Sequence, residues 1–420
     1  MRAMMGPVLA LIASAAILIL GNGLQGTLIP VRAELEGFAT PLIGLLGSAY
    51  FVGFGLGCVA GPFVIKRVGH IRTFAALAAL ASTAPLLHAL FPDPAIWALL
   101  RALTGLCFAG LYTVIESWLN ERTDNASRGT VMSVYVVVSF AAITCGQLLL
   151  TLAPPGGFEL FSLVAVLIAV ALVPVCLTTS PAPQPLAQVR LRLARLYGIS
   201  PVGVVGCLAV GLVNGAFWTL TPAFVTATGG TAETVATFMS LAVLGGALAQ
   251  WPLGRLSDRF DRRYVIAGTC LLAAAAGGGL AFLPPGSGLP LWVLSGLALV
   301  YGGSALSIYA VCVAHANDFI SPEDAVETSS GLLLTFALGA AIGPFAAAWA
   351  MQGLGAPLLF GYTAVLHVIF AGFTAFRMTR RAALPPDQRD DFVLVDPRHS
   401  PQVFELDPRG DTETEKDAAP

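Results

Sequence analysis

Charge is scarce in this sequence. Asp, Glu, Lys and Arg together make up 11% of its 420 residues, where a soluble domain carries about a quarter. So few charges cannot coat a water-facing surface at this length, and a water-soluble fold is excluded. Catalytic signatures are missing as well. There is no P-loop, no dinucleotide fingerprint and no H-E-x-x-H, so energy from nucleotide bound to this chain is not expected. No nucleophile–base pair or metal cluster stands out, and nothing asks for a cofactor or a nucleic acid. An enzyme is therefore not expected. Cysteine is sparse and dispersed: Cys58, Cys107, Cys145, Cys176, Cys207, Cys270 and Cys312 each sit inside an apolar stretch, and none forms C-x-x-C. They read as small buried apolar residues. The short alternating segments of an outer-membrane barrel are absent too.

Hydrophobicity is what the chain has in abundance, at 56% of residues and a mean hydropathy of +0.80. Its few charges cluster, and the apolar stretches between clusters run to about 20 residues, long enough to cross a bilayer as helices. Spans are expected at 7–30, 41–64, 73–91, 95–117, 129–153, 158–179, 201–226, 232–254, 264–283, 291–314, 328–352 and 357–377. Pro and Gly clusters such as Pro154-Pro155-Gly156-Gly157 punctuate them. Basic residues fall almost wholly on one side: Lys66, Arg67 and Arg72; Arg122 and Arg128; Arg190, Arg192 and Arg195; Arg255, Arg259, Arg262 and Arg263; Arg377, Arg380 and Arg381. The opposite loops offer Arg32 alone. The positive-inside rule then places both termini in the cytoplasm of a multi-pass protein of the cell inner membrane.

An internal repeat organises the spans. Asn22-Gly23 precedes Pro30 as Asn214-Gly215 precedes Pro222, an offset of 192 (214 − 22 = 192) that also maps Thr27 onto Thr219, Ser48 onto Ser240 and Gly53 onto Gly245. After a longer loop the offset becomes 197, mapping Gly105 onto Gly302, Tyr112 onto Tyr309 and Gly146 onto Gly343. Met1 to Leu20 resembles a signal peptide, but its copy in the second half argues for a retained first span. The expected fold is all-α, a polytopic membrane protein of twelve transmembrane helices in two pseudo-symmetric six-helix bundles. Residues 1–179 form the first bundle, 180–200 an amphipathic cytoplasmic linker (QVRLRLARLY at 188–197), and 201–380 the second bundle. Residues 381–420 are polar, acidic and Pro-rich, and are expected to be a disordered cytoplasmic tail. Within it FVLVDPR (392–398) is echoed by VFELDPR (403–409). The echo is either a docking peptide for a cytoplasmic partner or incidental.

Several motifs resemble the major facilitator superfamily. GRLSDRFDRR (254–263) is similar to that family's loop motif G-x-x-x-D-R-x-x-R-R, whereas the first half has Lys66-Arg67-Val68-Gly69-His70-Ile71-Arg72, with Lys66 in place of the Asp. Span 4 carries Arg101-x-x-x-Gly105-x-x-x-Ala109, similar to the family's arginine motif there. Gly339-x-x-x-Gly343-Pro344 in span 11 resembles the Gly-Pro kink that antiporter members carry in helix 5, but Cys145-Gly146-Gln147 in span 5 here lacks the Pro. GLYTVIESWLNERT (110–123) resembles the YcaD-type bacterial branch. The resemblance covers about 1–380. It implies a secondary transporter working by alternating access, with spans 1, 4, 7 and 10 lining the pathway between like-oriented halves.

On that reading the substrate cavity is assigned Asn22 and Gln25 on span 1, Arg101 on span 4, Gln147 on span 5, Asn214, Phe217 and Trp218 on span 7, and Tyr309 on span 10. Arg101 is the charged residue most clearly within a span, where charge is costly and usually functional; the alternative is snorkelling to the interface. Asn22 and Asn214 either touch a ligand or hydrogen-bond between helices. A cytoplasmic gate is assigned Lys66, Arg67, Arg72, Glu116, Arg128, Asp258, Arg259, Glu323, Asp324 and Glu327. Glu116 lies about 22 Å along the helix from Arg101 and is expected to pair with Arg67 or Arg72. The resemblance implies that Asp258 caps the start of span 5, near Ser127 to Thr130, in the outward-open state. Lys66 cannot cap, so in the outward-open state it or Arg67 is expected to pair with Glu323, Asp324 or Glu327, unless those charges merely face water. The expected partners are a small, uncharged or singly anionic organic substrate, the lipid bilayer and, possible but unsupported by a central acid, protons; the chain is expected to be a monomer. A non-transporting membrane sensor or assembly partner acting through the tail is the rival reading.

Overall fold

The computed structural model describes residues 2–123, 127–177, 193–285, 290–320, 325–385, 389 and 392–401. Twelve helices among them are long and apolar enough to span a membrane. They are α1 (Arg2–Leu35), α2 (Thr40–Val68), α3 (His70–Leu90), α4 (Pro94–Glu121), α5 (Arg128–Leu148) and α6 (Glu159–Cys176); then, after a short α7 (Leu193–Ile199), α8 (Pro201–Ala227), α9 (Ala232–Arg259), α10 (Arg262–Phe282), the pair α11 (Leu291–Ala305) and α12 (Ile308–Asn317), α13 (Ala325–Leu354) and α14 (Leu358–Met378). Each falls on an expected span. The tenth differs in being broken at Leu306–Ser307, after the run Gly302-Gly303-Ser304. Gly and Ser weaken a helix locally, and the Ser307 hydroxyl donates to the Gly246 carbonyl of α9 at 3.3 Å instead. An even number of spans puts both ends of the bundle on one face, together with the Lys- and Arg-rich loops. It is called the basic face below.

Local chemistry sets the helix starts. Asp93 caps α4, accepting from the N–H groups of Ala95 (2.9 Å) and Ile96 (3.0 Å), with Pro94 at the first helical position. Ser200 and Pro201 do the same for α8. Prolines inside the spans, such as Pro222 and Pro344, leave the helices continuous, since neighbouring helices in a bundle re-satisfy the backbone they free.

Helix packing repeats with the sequence offsets. α2 packs on α4 as α9 packs on α11, and α1 packs on α5 and α6 as α8 packs on α13 and α14. The closest approaches coincide as well. A Cβ at Gly53 would strike the Ala102 carbonyl, and one at its counterpart Gly245 would strike Leu299, the counterpart of Ala102. A Cβ at Gly105 would strike the Tyr50 carbonyl, and one at Gly302 that of Ala242. Backbones approach here because small residues allow it, as membrane helix interfaces require.

The halves meet through α2 with α13 and α5 with α9. Their contact is tightest toward the face opposite the basic one. A Cβ at Gly44, one turn into α2, would lie 2.5 Å from Ala348 Cβ and 2.6 Å from the Pro344 carbonyl oxygen. The Ser240 hydroxyl of α9 reaches the Thr144 carbonyl of α5 at 3.3 Å.

Candidate functional site

Between the halves lies a cavity of about 100 Å³. Asn22 and Gly26 of α1, Tyr50 and Phe54 of α2, Arg101 of α4, Gln147 of α5, Trp218 and Thr219 of α8 and Phe336 of α13 line it. Spans from both halves therefore supply its walls. Its polar wall comes from the first half. Arg101 is buried, and its guanidinium lies 4.3 Å from the centroid of the Tyr50 ring. This is a cation–π contact in a desolvated setting. Its Nη1 makes no hydrogen bond. Asn22 Nδ2 donates to the hydroxyls of Tyr50 (3.3 Å) and Tyr112 (3.2 Å), so three helices converge on one polar cluster. Gln147 Oε1 accepts from the Thr27 hydroxyl. Arg101 thus faces the cavity and does not reach for headgroups.

The remaining residues singled out from the sequence do not line this space. Gln25 is buried, with neither amide atom hydrogen-bonded, and the Asn214 side-chain oxygen is likewise unmatched. Phe217 is core, 5.4 Å from the Trp218 ring and 5.5 Å from that of Tyr301. Tyr309 packs against Phe336 at 5.4 Å. Tyr50 and Tyr112 were missed, because a tyrosine in an apolar span looks like packing. The match of Tyr112 with Tyr309 was the available signal for one of them.

Toward the basic face the expected gate is arranged differently. Arg67 and Arg72 are exposed and make no pair with Glu116, nor does Lys66 reach across the halves. Glu116 is fully buried instead: the Tyr135 hydroxyl donates to its Oε1 at 2.9 Å, and Ser400 donates to Oε2 from its backbone N–H (3.0 Å) and its hydroxyl (2.5 Å). A carboxylate surrounded by apolar helices takes whatever donors are nearest, and those come from α5 and the tail. Asp258 accepts from Arg262 (3.3 Å) and from the Phe392 N–H (3.1 Å). Arg128 opens α5, Arg259 is exposed at the end of α9, and Glu327 lies in the first turn of α13. Glu323 and Asp324 lie outside the described residues. The buried charges of the loop motif are Arg262, paired with Asp318 at 2.8 Å, and Arg263, paired with the helix cap Asp261 at 2.7 Å. Burial alone would push the Asp261 carboxyl up, but the Arg263 hydrogen bonds and charge hold it below its ordinary value.

The tail departs most from expectation. Phe392, Val393 and Leu394 wall a pocket together with α5 (Gly129, Met132, Ser133) and α9 (Gln250, Trp251, Gly254), and the Phe392 ring packs on Gly254. Val395, Asp396, His399 and Ser400 are buried, and Pro397 and Arg398 form part of the cavity wall. The expectation of a solvated tail weighed its acidic composition. The local run Phe392-Val-Leu-Val is apolar, and Asp396 neutralises Arg398 through both carboxylate oxygens.

A sequence model of the Major Facilitator Superfamily matches residues 11–332 and 203–406. An uncharacterized MFS-type transporter of Enterobacter sp. (strain 638) is 27% identical over 87% of this chain and 94% of its own length. The uncharacterized MFS-type transporter YcaD of Escherichia coli is 26% identical over the same shares. Among solved structures, a mutant of the nucleoside transporter NupG matches with a TM-score of 0.76 at 12% identity, over 88% of this chain and 99% of the other. At that identity the likeness concerns the fold.

Proposed function

This chain belongs to the major facilitator superfamily, and from that premise we propose that it moves a small, uncharged or singly anionic organic molecule across the inner membrane by rocking its two halves about the central cavity. The observation that carries this reading is the cavity itself, walled by both halves, with the buried guanidinium of Arg101 keeping an unused N–H; the second guanidinium in the wall, that of Arg398, comes from the tail and is paired with Asp396. An unsatisfied donor in a low-dielectric site is costly unless a ligand completes it. Contacts at Gly44–Ala348 and Ser240–Thr144 seal the face opposite the basic loops. With the basic face in the cytoplasm by the positive-inside rule, this arrangement is the inward-facing member of an alternating-access pair.

The test is a thermal-shift screen of purified protein against organic anions and neutral polar metabolites, with hits retested in proteoliposomes. Hits should stabilise the native protein and lose most of that effect in Arg101→Ala. Hits that bind the variant undiminished would remove Arg101 from the site. The rival, a sensor on the same scaffold, expects a sealed core with its polar groups mutually paired. The unmatched Arg101 in the cavity wall favours transport over it.

A further inference from the structure

Residues 392–401 run from the basic face inward between the halves. Arg398 ends 5.1 Å from the Phe140 ring centroid of α5 and 5.0 Å from that of Trp218 of α8. Phe140 lies twelve residues into α5, so the guanidinium stands about 18 Å inside the helix end. The His399 ring stacks on Tyr135 at 4.6 Å, and its Nε2 lies 3.2 Å from the Ser139 hydroxyl. Ser400 supplies two donors to Glu116. The two charges the segment brings in, Asp396 and Arg398, pair with each other, and Glu116 accepts from Tyr135 and Ser400. We propose that Asp396–Ser400 is a tethered peptide ligand of the transport cavity, seated on Glu116, Tyr135, Ser139, Phe140 and Trp218, which closes the pathway to the basic face until the tail withdraws.

The proposal rests on the transport reading only for the word pathway; the docking geometry stands apart from it. Two features make the seat specific. The first is exclusion: Pro397 and Arg398 share the wall of the space that Asn22, Arg101 and Trp218 line, so solute and tail compete for one volume. The second is the repeat. The second copy, VFELDPR, continues with Gly410-Asp411 where the first continues with His399-Ser400. Glycine offers no ring to Tyr135, and an aspartate beside Glu116 sets two carboxylates together. The first copy is therefore the ligand. Its apolar lead-in also lies against α5 and α9, with Phe392 packed on Gly254, and the Phe392 N–H donates to Asp258.

The experiment uses the full chain with its seven cysteines replaced and Ser139→Cys added as a reporter. A hydrophilic maleimide should label this protein slowly. A chain ending at Leu384 should label at least tenfold faster, and synthetic peptide 392–401 at saturating concentration should restore protection, whereas peptide 403–411 should not. In the full chain, Ser400→Glu should label as the shortened chain does. A second variant, Ser139→Cys with His399→Cys, should be joined within one chain by a short bifunctional methanethiosulfonate, which spans the gap the shortened side chain leaves. Equal labelling of full and shortened chains, or no cross-link, would overturn the proposal, as would equal protection by both peptides. None of these readouts needs a transported solute, so failure to find flux would strike the transport reading alone.

Discussion

The 192- and 197-residue offsets set Asn22 opposite Asn214 and Tyr112 opposite Tyr309, but Tyr50 opposite Ala242, Arg101 opposite Ala298, Glu116 opposite Val313, Tyr135 opposite Leu332 and Gln147 opposite Pro344. Five of these pairs set a polar or charged residue of the first half against an apolar residue of the second. At the basic face both halves carry polar groups, but of different kinds: Asp258, Arg262 and Asp318 stand opposite Lys66, His70 and Glu121. One backbone plan thus carries two sets of side chains. The first half supplies most of the polar groups of the cavity wall, and the second an apolar counter-wall with the ion pair Arg262–Asp318 at its base. A scaffold constrains backbone approach, and leaves side chains that face the central cavity free to diverge.

The largest expected effect tests the shared scaffold. Gly105→Val and Gly302→Val should each prevent recovery of folded protein, because the clashing groups are the Tyr50 and Ala242 carbonyls, which cannot turn aside. Overpacking typically costs 1–3 kcal/mol, and a rigid neighbour raises that. Size-exclusion chromatography in detergent reads the outcome, and survival of only one of the pair would break the symmetry. Next comes that ion pair. Arg262→Ala removes the 2.8 Å partner of buried Asp318 and should cost about 3–5 kcal/mol. His70→Ala, its counterpart, should cost less, and thermal unfolding compares the two. Third, Arg101→Ala should lower solute flux about tenfold or more, on the order of 1.4 kcal/mol, with the fold intact, while Asn214→Ala stays within about threefold. Equal losses would dissolve the contrast between the halves.

The smallest effect concerns the tail and pH. Burial lowers the His399 pKa to about 4, with Asp396 opposing and Arg398 reinforcing the shift. The docked tail then binds fewer protons than the free tail between about pH 6.5 and 4. Docking is at full strength above that window and weakens as pH falls through it, by about tenfold at pH 5.5. Burial raises the Asp396 carboxyl, but Arg398 outweighs it and holds the group below its ordinary value, so Asp396 does not oppose this slope. The groups facing His399 are Tyr135, Tyr112 and Ser139. Labelling of Ser139→Cys at pH 7.5 and 5.5 measures the change, and His399→Asn should flatten it.

Most of this architecture was legible from the sequence, because bilayer thickness fixes the length of an apolar run. Paired Asn, Gly and Tyr letters at held offsets betrayed the repeat. The break at Leu306–Ser307 was not visible, since glycine and serine occur in many unbroken membrane helices. Arg101 stood out because a charge inside a span is rare. Tyr50, which holds it, did not. The depth of Glu116 followed from helix rise, but its partner Ser400 lies 284 residues away in sequence. No local pattern joins a carboxylate in α4 to a serine in the tail. Composition also averaged away the apolar run 392–395 within an acidic segment.

Only residues 379–391 separate the end of α14 from the first docked residue. A short tether holds its cargo at an effective concentration in the millimolar range. A segment that binds with a Kd of about 1 mM as a free peptide would therefore fill its own cavity about half the time, whatever the abundance of the protein in the membrane. A competing solute works against that fixed local concentration. Tether length becomes a dial: doubling it should dilute the occupant about threefold, by the −3/2 power of length, without altering one contact in the cavity.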